Sequence, residues 1–179
     1  MTNHRIAGKG RVDHGRPVHF TFNGTHYEGF QGDTLASALL ANGVHLVGRS
    51  FKYHRPRGIL AAGSEEPNAL VGVTHGPGRF EPNTRATVLE ISQGLSTNSQ
   101  NHWPSLKRDI GAVNDAAYML FSAGFYYKTF MWPKSFWNKV YEPFIRGAAG
   151  LGVSPTQPDP DTYASRHVHC DVLVVGAGP

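Results

Sequence analysis

The stretch that decides the fold is Val18-His19-Phe20-Thr21-Phe22-Asn23-Gly24-Thr25. Apolar and polar residues alternate from Val18 to Phe22, which predicts a β-strand with one solvated face. Asn23-Gly24 favours a two-residue hairpin turn, because both residues accept a positive φ at little cost. The chain is therefore expected to return as a second strand from Thr25 to Phe30.

A short helix is predicted directly after this hairpin. Its apolar positions Leu35, Ala38 and Leu39 fall on one face. Asp33 is placed to cap its start, and Asn42-Gly43 is placed to end it. A hairpin followed by a short helix is the opening of a β-grasp domain.

The composition favours a turn-rich α+β domain over a helical bundle, since the 179 residues include 21 glycines and 12 prolines. The one cysteine, Cys170, excludes a disulfide framework and an all-cysteine metal or iron–sulfur site. The net charge of +4 and the pI near 9.3 favour attraction to anions, such as cofactor phosphates or acidic protein surfaces. We find no secretory signal and no membrane span, so a cytoplasmic location without a membrane partner is expected.

The middle of the chain is expected to hold a long loop from 48 to 67 and two strands, Ala69–Val73 and Ala86–Ile91. A helix is predicted from Ser105, because apolar residues then recur at helical spacing. These residues are Leu106, Ile110, Val113, Ala117 and Leu120. Half of the aromatic residues follow between Phe121 and Phe144. Such density is typical of a core or of an interface, and both interpretations stay open.

The last part of the sequence predicts a tether and a new unit. Prolines interleaved with acids from 153 to 162 favour an extended tether. Cys170–Val175 is a continuous apolar run, typical of a buried parallel strand, and Gly176-x-Gly178 follows it as the first half of a dinucleotide-binding fingerprint. The third glycine, the helix and the acid of that fingerprint are missing, so we expect no nucleotide to bind this sequence there.

Four segments together carry a resemblance to a known family. They are Gly48–Leu60 (GRSFKYHRPRGIL), Glu81–Ala86 (EPNTRA), Ser99–Leu106 (SQNHWPSL) and Val174–Pro179 (VVGAGP). Over essentially its whole length the sequence resembles the amino-terminal region of the alpha subunits of heterotetrameric sarcosine oxidases. The resemblance implies a two-iron two-sulfur ferredoxin-like β-grasp domain that leads into a Rossmann-type α/β domain.

This resemblance and the residue patterns divide the chain into five parts. They are a basic arm (1–16), a ferredoxin-like domain without cluster (17–104), a helical aromatic extension (105–152), a Pro-rich linker (153–168) and the first strand and start of a dinucleotide-binding domain (169–179).

The resemblance also indicates where an iron–sulfur cluster would lie in related proteins. Plant-type ligation uses the spacing C-x4-C-x2-C, with a fourth cysteine from elsewhere. In this sequence that spacing falls on Ala61, Glu66 and Ala69, and the fourth position falls on Ala86. None of these residues offers a thiolate, so we expect neither a bound cluster nor electron relay through this domain.

The activity implied by the resemblance is oxidative demethylation of sarcosine to glycine, with peroxide and either formaldehyde or methylene-tetrahydrofolate as further products. NAD, FAD, FMN and tetrahydrofolate are implied for the whole complex, and none is expected within this chain alone. The implied partners are the other subunits, chiefly beta, and the remainder of the alpha chain. No residue of this chain is expected to be catalytic.

Four cations of the long loop are candidates for contact with a cofactor phosphate or an acidic subunit surface. They are Arg49, Lys52, Arg55 and Arg57. A solvated loop with local ion pairs is the alternative interpretation. Glu65 and Glu66 are expected to be solvated loop residues, because successive side chains of an extended chain point apart.

Metal binding is not expected. The histidines are scattered, and His167-x-His169 supplies only two ligands. The alternative function is a stand-alone degenerate ferredoxin-like module that binds another protein. A nucleic-acid partner is not expected, since the sequence has the charge but no RNP-like pattern.

Overall fold

The main element of the fold is a five-stranded mixed β-sheet. The computed structural model describes residues 4–6, 8–119, 132–148 and 150–176. The strands are β1 (Asp13–Phe22), β2 (Thr25–Gln31), β3 (Gly48–Arg49), β4 (Pro56–Arg57), β5 (Leu70–Thr74), β6 (Phe80–Arg85) and β7 (Ser96–Ser99). The sheet has the order β2-β1-β7-β5-β6, while β3 and β4 pair separately as a short ribbon.

The predicted hairpin is confirmed at one edge of this sheet. β1 and β2 are antiparallel, with Phe22 opposite Thr25, and the turn residues Asn23 and Gly24 have φ of 50° and 74°. β1 pairs with β7 in parallel, and the other neighbouring strands pair antiparallel. The parallel pair places the last strand of the domain beside the first.

The predicted helix is also confirmed, as α1 (Leu35–Ala41), but its cap differs from the expectation. The side chain of Thr34 accepts the N–H of Ser37 and is the N-cap. Asp33 is buried one residue earlier, where it accepts the Phe30 N–H at 2.9 Å and pairs with the guanidinium of Arg5. Asp33 therefore ties the amino-terminal arm to the turn before the helix.

One core unites the helix and the sheet. Its larger buried members are Phe20, Phe22, Leu35, Leu39, Val47, Val71, Val73, Ile91, Leu95 and Leu106. The mixed sheet with its helix makes the domain α+β, as expected.

The prediction of a strand over Ala86–Ile91 was wrong, because this segment serves the start of α1. The carbonyl of Leu89 accepts the Leu35 N–H at 2.7 Å, and that of Ala86 accepts the Ala36 N–H at 2.9 Å. These two donors belong to the first turn of a helix and have no acceptor within it. Backbone used in this way is not free to join the sheet, and β6 ends just before it.

The long helix predicted from Ser105 was also wrong. Between 105 and 119, the described residues form only a 3-10 turn, Ile110–Ala112, and α2 (Val113–Ala116). Leu106 is buried in the core of the sheet domain, whereas Ile110 and Val113 are 56% and 68% exposed. The Arg49 side chain donates to the carbonyl of Leu106 and the Asp109 side chain accepts the Gly111 N–H, so these backbone groups are bonded to side chains rather than within a helix. Leu120 lies outside the described residues.

The described part of the aromatic extension is helical and exposed. It contains a 3-10 turn (Lys134–Phe136), a π-helical turn (Trp137–Tyr141) and α3 (Glu142–Ala148). Trp132 and Phe144 are 83% and 68% exposed, so these rings do not belong to the core. Residues 121–131 lie outside the described residues.

The buried strand predicted at Cys170–Val175 is not formed. Each residue from Val172 to Val175 is at least 76% exposed. A parallel strand is held by neighbouring strands, and in the described part of the chain no strand lies beside this segment. No helix among the described residues combines the length and the apolar character needed to cross a membrane.

Gly29 of β2 tests the packing of α1 on the sheet. A Cβ at this position would lie 2.5 Å from Cδ1 of Ile91 and 3.1 Å from Cβ of Ala38. We expect Gly29→Ala to lower the free energy of unfolding by about 1–3 kcal/mol, because overpacking forces the core apart. Chemical denaturation measures this change.

Gly15→Ala in β1 is the matched control, because the nearest atom to its added Cβ is a side-chain oxygen of Asp13 at 3.2 Å. Equal stability of the two variants would contradict the close packing at Gly29.

Candidate functional site

The loop between β4 and β5 is organised around the side chain of Glu66, which is only 1% exposed. Its Oε2 accepts the N–H groups of Leu60 and Ala61 at 2.7 and 2.6 Å. Its Oε1 accepts those of Asn68 and Ala69 at 2.7 and 3.2 Å. The expectation that Glu66 is a solvated loop residue was therefore wrong, whereas Glu65 is exposed.

These contacts decide the charge of the Glu66 carboxyl. Burial raises its pKa, but hydrogen bonds from the backbone N–H groups of Ala61, Asn68, Leu60 and Ala69 lower it more. The pKa of Glu66 consequently lies below its ordinary value of 4.5. The side chain is a buried carboxylate at neutral pH.

The structure brings together the four residues at which the sequence predicted former cluster positions. The N–H groups of Ala61 and Ala69 both point to the Glu66 carboxylate. The N–H of Ala86 bonds the carbonyl of Ala69 at 2.9 Å. Three of these four residues are buried: Glu66, Ala69 and Ala86.

These residues do not fit an iron–sulfur cluster. Ligation of a two-iron two-sulfur cluster of the plant type requires thiolates, whereas the four positions hold three methyl groups and a carboxylate. The chain's one cysteine, Cys170, lies in the exposed segment near its carboxy end. Within the described residues, no group of three or more His, Cys, Asp or Glu side chains could hold a metal ion.

The cationic loop from 49 to 57 is held against the segment from 103 to 115. Arg49 donates from Nε and Nη2 to the carbonyl of Leu106 at 2.9 and 2.7 Å, and from Nη1 to the carbonyl of His54 at 3.0 Å. The Arg49 side chain is only 8% exposed. The guanidinium of Arg49 therefore has a structural role within the chain.

Asp109 is the buried acid of this contact. Its Oδ2 lies 2.6 Å from Nδ1 of His54, and its Oδ1 accepts the N–H groups of Trp103 and Gly111. Burial raises the pKa of Asp109, but the backbone donors and His54 lower it more, so the net pKa is lowered. The sequence reasoning missed Asp109, although Asp-x-Gly is a pattern that favours an Asx turn.

The remaining cations of the loop differ in their surroundings. Arg55 pairs with Asp115 at 2.7 Å and lies over the ring of Tyr53. The ammonium of Lys52 lies 5.0 Å from the centre of the same ring. The side chain of Arg57, in β4, is exposed. Arg49 is thus paired with carbonyls of this chain, and Arg55 with a carboxylate.

Gly176, the first glycine of the incomplete fingerprint, is exposed. Gly176 has a φ of 87°, which suits the turn after a strand, and Gly178 lies outside the described residues. Beyond its chain neighbours, a Cβ added at Gly176 would have no heavy atom within 4 Å in the described part of the chain, so neither the cationic loop nor Glu66 lies against it.

A pair of acids tests the contact between the cationic loop and the segment from 103 to 115. Asp109 is fully buried, whereas Asp115 is 44% exposed. We expect Asp109→Ala to lower the free energy of unfolding by about 3 kcal/mol, since it leaves buried donors unpaired. Asp115→Ala is expected to change it by less than about 1 kcal/mol. Urea denaturation at neutral pH measures both, and equal effects would contradict this assignment.

The stabilisation by Asp109 is expected to depend on pH, and the direction follows from its lowered pKa. Because the folded-state pKa of Asp109 lies below its ordinary value of 3.8, its stabilisation is complete above that value and is lost as the pH falls through the lowered pKa. The difference between the wild-type chain and Asp109→Ala should therefore shrink in acid.

Comparison with known proteins relates this geometry to a family. Residues 15–102 match the family described as 2Fe-2S iron-sulfur cluster binding domain. The chain is 60% identical, over all 179 residues, to the sarcosine oxidase subunit alpha of Rhizobium meliloti (strain 1021), of which it covers 18%. It is 36% identical over 171 residues to that of Corynebacterium sp. (strain P-1), covering 94% of this chain and 13% of the relative.

A solved structure, that of L-proline dehydrogenase from P. horikoshii, is similar with a TM-score of 0.41 and 23% identity, over 51% of this chain and 17% of that one. The chain spans less than a fifth of the length of the curated relatives that it matches. The comparisons therefore show strong homology along the whole chain to the amino-terminal region of the sarcosine oxidase alpha subunit, and a ferredoxin-like domain within it.

Proposed function

We propose that this chain is the non-catalytic amino-terminal part of a sarcosine oxidase alpha subunit, which serves subunit assembly and cofactor enclosure. The observation that carries this proposal is the 60% identity over the entire chain to such a subunit. The reaction it would support is oxidative demethylation of sarcosine to glycine, with peroxide and formaldehyde or methylene-tetrahydrofolate. Homology with a much longer protein favours this role over a stand-alone interaction module.

The proposed domain is a β-grasp fold that no longer relays electrons. The sheet order, the parallel pairing of β1 with β7 and the helix after the first hairpin support this topology. The Glu66 carboxylate and the methyl groups at Ala61, Ala69 and Ala86 support the absence of relay, because none of them supplies a thiolate to iron. Without electron relay, the proposed role of the ferredoxin-like domain is structural.

The exposed apolar run at Val172–Val175 and Gly176 are proposed to begin a Rossmann-type domain. An apolar segment of this kind is stable only when neighbouring strands cover it. The remainder of the alpha chain would supply those strands and, with them, an NAD site that includes Gly178. FAD, FMN and tetrahydrofolate would be held elsewhere in a cytoplasmic complex with the beta subunit.

The face toward the other subunits is proposed to include Arg57 and the exposed rings of the extension. Arg57 carries an exposed guanidinium suited to an acidic surface or a phosphate. The rings of Trp132, Phe136 and Phe144 are exposed, and aromatic residues are enriched in interfaces. This arrangement favours the interface interpretation for the described part of the extension.

Charge reversal at Arg57 tests the assembly role in the complete complex. We expect Arg57→Glu to reduce at least several-fold the beta subunit and the bound flavin that copurify with the alpha subunit, because an interface contact becomes repulsive. Affinity purification and visible absorbance measure both. Arg57 is a cleaner target than Arg55, since reversal of Arg55 would also break its pair with Asp115.

Arg16→Glu in β1 is the control for this experiment, since Arg16 is an exposed arginine paired only with the exposed Asp13 and Gln31 in the described part of the chain. Retention of both the beta subunit and flavin by Arg57→Glu would contradict the proposed contact.

The isolated chain provides a second test. We expect it to release no peroxide from sarcosine, whereas the assembled complex does so under the same conditions. A peroxide-coupled assay with both samples decides this point. Turnover by the isolated chain would contradict the non-catalytic role.

A further inference from the structure

The carboxylate of Glu66 lies where two pairs of consecutive backbone N–H groups converge. One oxygen takes the pair from Leu60 and Ala61, and the other takes the pair from Asn68 and Ala69. Consecutive backbone N–H groups that point to one side form an anion-binding concavity, and iron–sulfur sites are among the sites built in this way. The loop therefore has the donor arrangement of an anion-binding site, and the Glu66 carboxylate occupies that site.

The position of Glu66 in the chain adds a second observation. Glu66 stands at the middle position of the x4 and x2 spacing that plant-type ferredoxin loops use for cysteines. The first and third positions, Ala61 and Ala69, donate their N–H groups to it, and the fourth, Ala86, is bonded to Ala69. The residues that would surround a cluster thus surround this carboxylate.

The loop around Glu66 is also held by hydrogen bonds from the end of β6 and the residues that follow it. The hydroxyl of Thr87 donates to the carbonyl of Gly63 at 2.7 Å, and Nε of Arg85 donates to the carbonyl of Glu66 at 3.3 Å. Both donors belong to the segment that contains Ala86. The two halves of the presumed ligand set are therefore joined by backbone and side-chain hydrogen bonds.

We propose that the Glu66 carboxylate replaces the iron–sulfur cluster as the anion that organises this loop. In a cluster-bearing domain, sulfur atoms accept hydrogen bonds from loop N–H groups. Here one side chain accepts them, so the loop keeps its shape without iron. The inference concerns the ferredoxin-like domain alone and holds whether or not the chain acts in sarcosine oxidation.

Chemical rescue tests the anion role. We expect Glu66→Ala to lower the melting temperature of the chain by roughly 10 °C, because four buried donors lose their acceptor. Sodium formate should restore a large part of this loss with saturating dependence, because the small carboxylate can enter the space left by the side chain. Sodium chloride at equal ionic strength should not.

Two control variants make the rescue specific. Glu66→Gln leaves no space for formate, so its stability should not respond to formate beyond the response of the wild-type chain. Glu65→Ala, at the exposed neighbour, should melt within about 2 °C of the wild-type chain. If Glu66→Ala does not fold alone, recovery of folded chain by refolding in formate supports the proposal. Loss of stability without any response to formate overturns it.

Conversion of the loop tests whether the carboxylate lies in the place of a cluster. The variant A61C/E66C/A69C/A86C should bind one two-iron two-sulfur cluster on reconstitution with iron and sulfide, seen as visible absorbance and by iron analysis. The matched variant A61C/A69C/A86C, which keeps Glu66, should bind at least several-fold less. Equal iron and sulfide in both variants, or none in the first, would overturn the replacement of the cluster by Glu66.

Discussion

The bonding of one buried carboxylate to four backbone N–H groups is the constraint on which the domain depends. Removing an ion from water costs several kcal/mol, so Glu66 is stable inside only because all four donors converge on it. The carboxylate in turn stabilises the four N–H groups, since each buried N–H without an acceptor costs about 1–3 kcal/mol. This loop leads directly into β5, which lies between β7 and β6 in the sheet. The hydrogen bonds of Glu66 to Asn68 and Ala69 thereby fix the residues directly before an inner strand.

Buried carboxylates that accept backbone N–H groups are also found at two other places in the chain. The buried carboxylates of Asp33 and Asp109 each accept at least one backbone N–H group and contact a basic side chain from a distant segment. Asp33 holds the amino-terminal arm through Arg5, and Asp109 holds the cationic loop through His54. In a chain with 21 glycines and 12 prolines, regular elements leave many backbone groups unpaired. Buried acids supply the acceptors that helices and strands do not.

The parts of the fold that local pattern dictates could be predicted, and the parts that depend on distant partners could not. The hairpin around Asn23-Gly24 and the helix from Leu35 follow from alternation, turn preference and helical spacing within a few residues. The spacing of Ile110 and Val113 also suited a helix, but Arg49 and Asp109 bond the surrounding backbone from side chains. Glu66 could be placed in the ligand spacing, yet its burial depends on four amides that only the folded loop brings together.

The proposed replacement of a cluster by Glu66 separates two properties that cluster-bearing domains combine. A cluster both organises a loop and carries electrons, and thiolates serve both purposes at once. A carboxylate can serve only the first, because it offers acceptor oxygens and a charge but no redox couple. On the proposal that Glu66 replaces the cluster, the domain would keep the shape of the loop without electron relay, and its use would lie in the surfaces that this shape presents. The exposed Arg57 and the exposed aromatic rings of 132–148 lie on such surfaces.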